Sequence, residues 1–146
     1  MGEVLTTSEV LARVPQQEPF RFIDEIRELD DEHIVAGYRF REDHELYRVH
    51  FPGSPVTPGV ILIETMAQAG VVALGIYIVA HSKGIAELER LTTIFTAAEV
   101  DFSGRVDPGS TVTVTGRKGF FRRGKLRSKV EMTLDDGEVG CSGTLS

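Results

Sequence analysis

The chain has 146 residues, of which 41% are hydrophobic and 26% are charged. This length and composition are typical of one globular domain with a buried core, so residues 1–146 are predicted to form a single domain. The formal net charge of −6 and the isoelectric point near 5.2 argue against nucleic-acid binding, which favours a basic surface. The lone cysteine, Cys141, cannot form an internal disulfide, which fits a reducing cytoplasm.

The start of the chain predicts a short helix. Residues 1–6 are expected to be disordered. Thr7 or Ser8 can cap a helix that continues to Val14, where Pro15 ends it. No secretory signal precedes this segment, so a cytoplasmic location is expected.

Two predicted strands precede a long apolar segment, and four follow it. In each of the six, β-branched or aromatic residues lie between turn residues, and several alternate with polar neighbours. They span residues 19–29, 33–40, 91–102, 110–120, 125–134 and 138–145. Between the apolar segment and the third strand, residues 82–90 form a polar connector with about one helical turn. This order indicates an α+β domain.

The most informative stretch runs from His50 to Gly75 and reads HFPGSPVTPGVILIETMAQAGVVALG. Its first half is a loop rich in proline and glycine, and its second half predicts an apolar helix from Val60 to about Ala80. The apolar run is long enough to span a membrane, but Glu64 and Gln68 within it would be costly in lipid. We therefore expect a helix buried in the core of the protein and no membrane association.

An acid–base pair beside the start of this helix is the functional hypothesis. Pro58 suits a first helical turn, and Gly59 leaves the backbone open to close approach. The unpaired N–H groups of a helix start favour an oxygen that gains negative charge, such as a thioester carbonyl. Glu64 lies about 7–8 Å further along the axis, among apolar neighbours that favour a protonated carboxyl group. Glu64 can then donate a proton while His50 accepts one.

Ordinary explanations exist for each group. A histidine in a loop is commonly a surface residue, and a glutamate in an apolar helix can face water or pair with an arginine. His44 lies between Asp43 and Glu45 and is expected to be solvated. His33 and His81 have no metal-ligand spacing with another histidine, cysteine or acid, so no metal is expected.

The stretch resembles the signature of the 3-hydroxyacyl-acyl carrier protein dehydratases of the FabZ type, which reads much like HFPGxPVxPGVxxxEAMAQ. Thr65 stands where that family usually has alanine, and the resemblance extends more weakly from about Val14 to the C-terminus. It implies the hotdog fold, an antiparallel sheet wrapped around a central helix. It also implies that His50 is the catalytic histidine, that Glu64 is the catalytic carboxylate, and that the Gly59 N–H binds the thioester oxygen.

The resemblance implies dehydration of (3R)-3-hydroxyacyl thioesters, carried by acyl carrier protein, to trans-2-enoyl thioesters. This reaction belongs to fatty-acid or related acyl-chain biosynthesis and needs no cofactor beyond the phosphopantetheine arm of the substrate. The active site would lie at a dimer interface, with His50 from one subunit and Glu64 from the other, in a homodimer or a trimer of dimers. The other residues expected to bind substrate are Phe51, Pro58, Val60 and Gln68, and Gln68 would hold Glu64 or a site water.

A basic segment suggests where a carrier protein would bind. Seven basic residues and no acid lie between Arg117 and Lys129. In an acidic protein such a segment indicates a negatively charged partner, and acyl carrier proteins are acidic. The alternative is a solvated hairpin whose charges protect a sheet edge. The preferred carrier contacts are Arg122, Arg123 and Lys125.

Departures from the family pattern leave other functions open. Gln16 stands where the family has histidine, and Thr92 and Thr93 lie near the position of its tyrosines. The aromatic gate of the acyl channel is therefore expected to be missing or built differently. A hotdog thioesterase and a non-catalytic acyl-binding subunit are the two alternatives, and the presence of both His50 and Glu64 favours the dehydratase.

Overall fold

The computed structural model of the protein describes residues 4–45, 47, 56–90, 94 and 96–146. Four residues discussed above, His50, Phe51, Thr92 and Thr93, lie outside the described residues. The helices are α1 (Thr7–Arg13), α2 (Gly59–Lys83) and α3 (Ile85–Leu88). The strands are β1 (Glu25–Leu29), β2 (His33–Arg39), β3 (Ala98–Phe102), β4 (Thr111–Arg122), β5 (Lys125–Leu134) and β6 (Val139–Leu145).

The six strands form one antiparallel sheet that packs on α2. Their order across the sheet is β1-β2-β4-β5-β6-β3. Alternate residues of the central strands point toward α2, as in β5, where the inward residues are Leu126, Ser128, Val130 and Met132. A sheet on a long central helix is the hotdog architecture, so the predicted fold is confirmed.

The start of the described chain differs from the prediction. Thr6, and neither Thr7 nor Ser8, caps α1: its side chain accepts a hydrogen bond from the Glu9 N–H, and the Glu9 carboxylate accepts one from the Thr6 N–H. This reciprocal capping box needs a Thr-x-x-Glu spacing, which Thr6 and Glu9 provide. Leu5 is buried in the core. The predicted disorder over residues 1–6 is therefore wrong for Leu5 and Thr6.

Helix α2 is longer than predicted and changes its winding in the middle. A π-helical stretch at Gln68–Ala73 separates α-helical segments at Gly59–Ala67 and Leu74–Lys83. By length and composition α2 could cross a membrane, but 61% of its most apolar window is buried inside the protein. As predicted, it is a core helix.

The π-helical stretch is where α2 comes closest to the sheet. A Cβ atom on Gly116 of β4 would lie 2.9 Å from the Gly70 Cα, and one on Gly70 would lie 2.5 Å from Val130 Cγ2. The buried Ser128 hydroxyl donates a hydrogen bond of 2.7 Å to the Gly70 carbonyl. Gly70, Gly116 and the Ser128 hydroxyl therefore hold the π-helical stretch against the sheet.

Strand β3 lies at one edge of the sheet. It pairs with β6 on one side, and no described strand pairs with its other edge. Four of its five residues are exposed, among them Phe102. The predicted strand over residues 91–102 is thus confirmed only from Ala98 onward.

We predict that Gly70→Ala lowers the free energy of unfolding by about 1–3 kcal/mol, because the added methyl group overpacks the contact with Val130. The matched control is Gly75→Ala on the same helix, where a Cβ would meet Leu126 Cδ2 at an ordinary 3.6 Å. It should leave stability unchanged or raise it by up to about 1 kcal/mol. Urea denaturation measures both, and equal effects would contradict the proposed contact.

Candidate active site

The start of α2 presents backbone N–H groups without a side-chain cap. Pro58 occupies the N-cap position with extended backbone angles, one residue before its predicted place in the first turn. The N–H groups of Ile61 and Leu62 donate to the Pro58 carbonyl at 3.0 and 3.2 Å. The N–H groups of Gly59 and Val60 come before the first intrahelical bond, and no described residue accepts a hydrogen bond from them.

An aromatic ring that the sequence analysis did not assign to the site lies against this helix start. A Cβ atom on Gly59 would lie 3.2 Å from Phe102 Cζ and 3.3 Å from its Cε1. Phe102 ends β3 and is 51% exposed. The alternation of Val100 and Phe102 along the strand was the only signal for this side chain, and it does not specify which part of α2 the ring would meet.

Glu64 and Gln68 form a hydrogen-bonded pair on α2, as their spacing of one turn predicts. The Gln68 Nε2 donates to Glu64 Oε2 at 2.8 Å. Gln68 is fully buried, whereas Glu64 is half-buried. Within the described part of the chain, no other side chain donates a hydrogen bond to the Glu64 carboxylate. Among the described residues, the carboxylate is therefore held in place by Gln68 alone.

The backbone before β1 holds Gln68 in turn. Gln68 Oε1 accepts from the Phe22 N–H at 2.7 Å, and Nε2 also donates to the Phe20 carbonyl at 2.9 Å. These bonds explain why the strand predicted over residues 19–29 begins only at Glu25: the backbone of Phe20 and Phe22 bonds to a side chain of α2 and not to a neighbouring strand. They also fix which way the Gln68 amide faces.

Thr65, the departure from the family signature, is compatible with the site. Its hydroxyl donates to the Ile61 carbonyl one turn earlier at 2.7 Å, and the side chain is fully buried. This bond within the helix satisfies the hydroxyl where alanine would have none. The substitution therefore leaves the Glu64–Gln68 pair unchanged.

Both ends of the segment that carries His50 and Phe51 are held at the start of α2. The hydroxyl groups of Tyr47 and Thr57 share a hydrogen bond, and both residues are buried. Burial raises the pKa of Tyr47 above that of a solvated tyrosine. The Thr57 N–H also donates to the Val106 carbonyl at 3.1 Å. The distance between His50 and Glu64 stays a prediction, because residues 48–55 lie outside the described part of the chain.

A largely apolar cavity of about 550 Å³ lies beside the middle of α2. Its wall on α2 begins at Val71, less than one turn beyond Gln68, and reaches Val79. The rest of the cavity wall is formed by the turn between β4 and β5, the residues before β3 and the end of α1. Further lining residues include Pro15, Ile76, Ile94, Phe121, Lys125 and Leu126. Its length and apolar walls suit a hydrocarbon chain.

The three predicted carrier contacts lie at the exposed turn between β4 and β5. Arg122 and Lys125 are directly opposite each other in the strand register, and Arg123 occupies the turn with φ of 51°. The Arg122 guanidinium lies 4.5 Å from the centre of the Phe120 ring. The three charges are thus solvent-exposed and together, whereas their role stays a prediction.

Outside this site, the described residues offer little other chemistry. No group of three or more histidine, cysteine, aspartate or glutamate side chains within them could hold a metal ion. Cys141 is buried against the sulfur atoms of Met66 and Met132, and burial raises its pKa to about 11. His44 contacts the Pro19 carbonyl at 2.8 Å and packs beside the Phe22 ring.

The chain is similar to known proteins in both sequence and fold. Residues 14–140 match the model of the FabA-like domain. The chain is 35% identical to the 3-hydroxyacyl-[acyl-carrier-protein] dehydratase FabZ of Thermus thermophilus, over 94% of this chain and 92% of that protein. It is 31% identical to the enzyme of the same name from Bacillus velezensis, over 98% and 96%.

Two similar solved structures support the fold at lower sequence identity. The dehydratase heterocomplex ApeI:P from Xenorhabdus doucetiae has a TM-score of 0.69 at 17% identity, over 97% of this chain and 89% of that chain. The thioesterase HI1161 from Haemophilus influenzae has a TM-score of 0.69 at 17% identity, over 98% and 89%. The shared fold therefore does not distinguish these two activities.

We predict that Gln68→Leu lowers the free energy of unfolding by about 1–3 kcal/mol, because the buried Phe22 N–H left without a partner costs about that much. The groups left unpaired are the Phe22 N–H and the Phe20 carbonyl. Gln17→Leu is the control, since the exposed Gln17 amide contacts only nearby carbonyls at 3.4 Å. Chemical denaturation measures both variants, and a loss below about 1 kcal/mol for Gln68→Leu would contradict the role of these bonds.

Proposed function

The chain belongs to the FabA-like family of hotdog-fold proteins, and on that basis we propose that it dehydrates (3R)-3-hydroxyacyl thioesters carried by acyl carrier protein. The products are the trans-2-enoyl thioester and water, in fatty-acid or related acyl-chain biosynthesis in the cytoplasm. The observation that carries the proposal is the Glu64–Gln68 hydrogen bond, little more than one turn beyond an uncapped helix start. It places an acid group near backbone donors suited to a thioester oxygen.

In the proposed reaction, His50 removes a proton from C2 while the Gly59 N–H and the helix dipole stabilise the negative charge on the thioester oxygen. The bond between C3 and the hydroxyl oxygen then breaks. Glu64 donates the proton that completes the departing water, and the C2–C3 double bond forms. Protons balance, because His50 gains one and Glu64 loses one. In a second version of this scheme, His50 carries both proton transfers and Glu64 orients the water.

The apolar cavity beside α2 is the proposed site of the acyl chain. It begins just beyond Gln68 and continues along the helix to Val79. A thioester held at Gly59 with its C3 hydroxyl near Glu64 would direct the remaining carbons along this side of α2. The cavity volume of about 550 Å³ is large enough to take a hydrocarbon chain.

A second copy of the chain is the proposed partner of the open sheet edge. Strand β3 has an unpaired edge among the described residues, and exposed apolar side chains lie near it, including Phe102 and Val60. Unpaired edges of this kind favour pairing with another strand. A homodimer, alone or in a trimer of dimers, would bring His50 of one subunit to Glu64 of the other.

Acyl carrier protein is the proposed macromolecular partner of the basic turn. Arg122, Arg123 and Lys125 are exposed and lie together, and Lys125 also lines the acyl cavity. An acidic carrier would be attracted to these three positive charges. Charge attraction of this kind raises association rates and weakens with salt.

A thioesterase is the second candidate, because the thioesterase HI1161 matches the fold as well as the dehydratase heterocomplex does. It would direct water at the thioester carbonyl and release a free thiol. One assay with 3-hydroxydecanoyl-carrier protein separates the two functions: mass spectrometry detects the enoyl product, and a thiol reagent detects the released carrier. Thiol release without enoyl product would overturn the dehydratase proposal.

We predict that Glu64→Gln and His50→Ala each lower kcat for dehydration by about 10²–10⁴-fold, the typical contribution of a general acid or base. Thr65→Ala is the matched control next to Glu64, because its hydroxyl bonds only to the Ile61 carbonyl, and its activity should stay within about twofold of wild type. The readout is enoyl formation from the same hydroxyacyl-carrier substrate. Retention of more than a tenth of the activity in Glu64→Gln would contradict the proposed acid.

We predict that the triple charge reversal Arg122→Glu, Arg123→Glu, Lys125→Glu raises KM for the carrier-bound substrate about 10-fold or more at low salt, and less at high salt. The same variant should dehydrate the small N-acetylcysteamine thioester at the wild-type rate. Arg39→Glu, at the exposed end of β2, is the control for a change in net charge. Equal losses on both substrates would contradict a carrier-binding role.

A further inference from the structure

Phe102 is a half-exposed aromatic side chain that faces the central helix from the edge strand. In the β3–β6 register it lies directly opposite Cys141, and the buried Cys141 thiol contacts Met66 of α2. Residues directly opposite in an antiparallel pair point to the same face of the sheet. The ring therefore reaches toward α2 from the inner face, although 51% of the residue is exposed.

The glycine at residue 59 lets the ring lie close to the helix start. Gly59 is not among the glycines with positive φ, so its backbone angles do not require glycine. An alanine Cβ there would lie 3.2 and 3.3 Å from the Cζ and Cε1 atoms of the ring, so the ring would have to move by a few tenths of an ångström. Any larger residue would push the ring away from the helix start. The pair Gly59–Phe102 thus acts as one packing unit.

Two described residues at the helix start have apolar side chains. Phe102 covers one side of Gly59, and the next residue, Val60, is a valine with 71% exposure. A hydrated anion such as free phosphate would lose its water shell against these side chains, whereas a neutral thioester carbonyl loses little. Excluding water also strengthens an N–H···O contact in which charge develops.

We propose that Phe102 is a positioning residue: its ring holds the thioester against the Gly59 N–H and keeps water away from that contact. This inference rests on the proposed function, in which the Gly59 N–H receives the thioester oxygen. The family's tyrosines lie near the positions that Thr92 and Thr93 occupy in this chain. Phe102 supplies the site with an aromatic side chain from a different strand position. The ring acts at the thioester end of the substrate and not along the acyl chain.

The first experiment compares wild type with Phe102→Ala on C4, C8 and C12 3-hydroxyacyl N-acetylcysteamine thioesters. We expect kcat/KM to fall about 10-fold, with most of the loss in KM, because the ring holds the bound thioester at the Gly59 N–H before charge develops on the oxygen. The loss should be the same for all three chain lengths. Phe102→Leu keeps an apolar side chain without the ring and should lose about threefold.

The second experiment is a double-mutant cycle. Gly59→Ala alone displaces the ring and should lower kcat/KM about fivefold, whereas in the Phe102→Ala background no ring remains to be displaced. We therefore expect the double variant to lose about 10-fold, and not the about 50-fold of independent effects. Val4→Ala, an exposed apolar residue before α1, is the control and should match wild type. Thermal melting confirms that each variant is folded.

Binding of a non-reactive analogue separates this inference from the proposed function. The probe is 3-hydroxydecanoyl pantetheine with an amide in place of the thioester, titrated by calorimetry. If wild type forms no enoyl product, the dehydratase proposal falls, and at least fivefold weaker binding of the probe by Phe102→Ala still supports the positioning role. The role is overturned if Phe102→Ala dehydrates or binds within twofold of wild type, if its loss grows with chain length, or if the cycle is additive.

Discussion

The hydrogen bonds of one buried side chain, Gln68, connect the parts of the candidate site. Its amide bonds to the Glu64 carboxylate on one side and to the backbone of Phe20 and Phe22 on the other. Because a buried amide without partners is costly, these bonds support one another. The carboxylate of Glu64 is therefore oriented by the folding of a loop more than 40 residues earlier in the chain, and not by the helix alone.

The packing of α2 on the sheet makes this arrangement rigid. Gly70 and Gly116 let the backbones of α2 and β4 approach each other. The Ser128 hydroxyl donates a hydrogen bond to the Gly70 carbonyl in the π-helical stretch. This contact begins two residues beyond Gln68, so the sheet fixes the axial position and rotation of the helix next to the site. Sites supported by such rigid elements hold their reacting groups in a defined geometry.

Family membership and local geometry support the same class of chemistry. The relatives are dehydratases of hydroxyacyl-carrier thioesters, and this chain combines a held carboxylate, an uncapped helix start and an apolar cavity along one helix. The half-exposed ring of Phe102 adds an apolar cover to the helix start. Each feature suits an apolar acyl thioester better than a free, hydrated anion.

The sequence by itself determined the hotdog fold, the core helix and the one-turn spacing of Glu64 and Gln68, because these depend on local periodicity and on one long motif. Only the tertiary structure decided which groups hold Gln68, that Phe20 and Phe22 lie in a loop, that the helix widens at Gln68–Ala73, and that Phe102 meets Gly59. Contacts between residues far apart in the chain depend on how the sheet and helix pack, and side-chain hydrogen bonds can override the strand pattern. Neither effect leaves a periodic signal in the sequence.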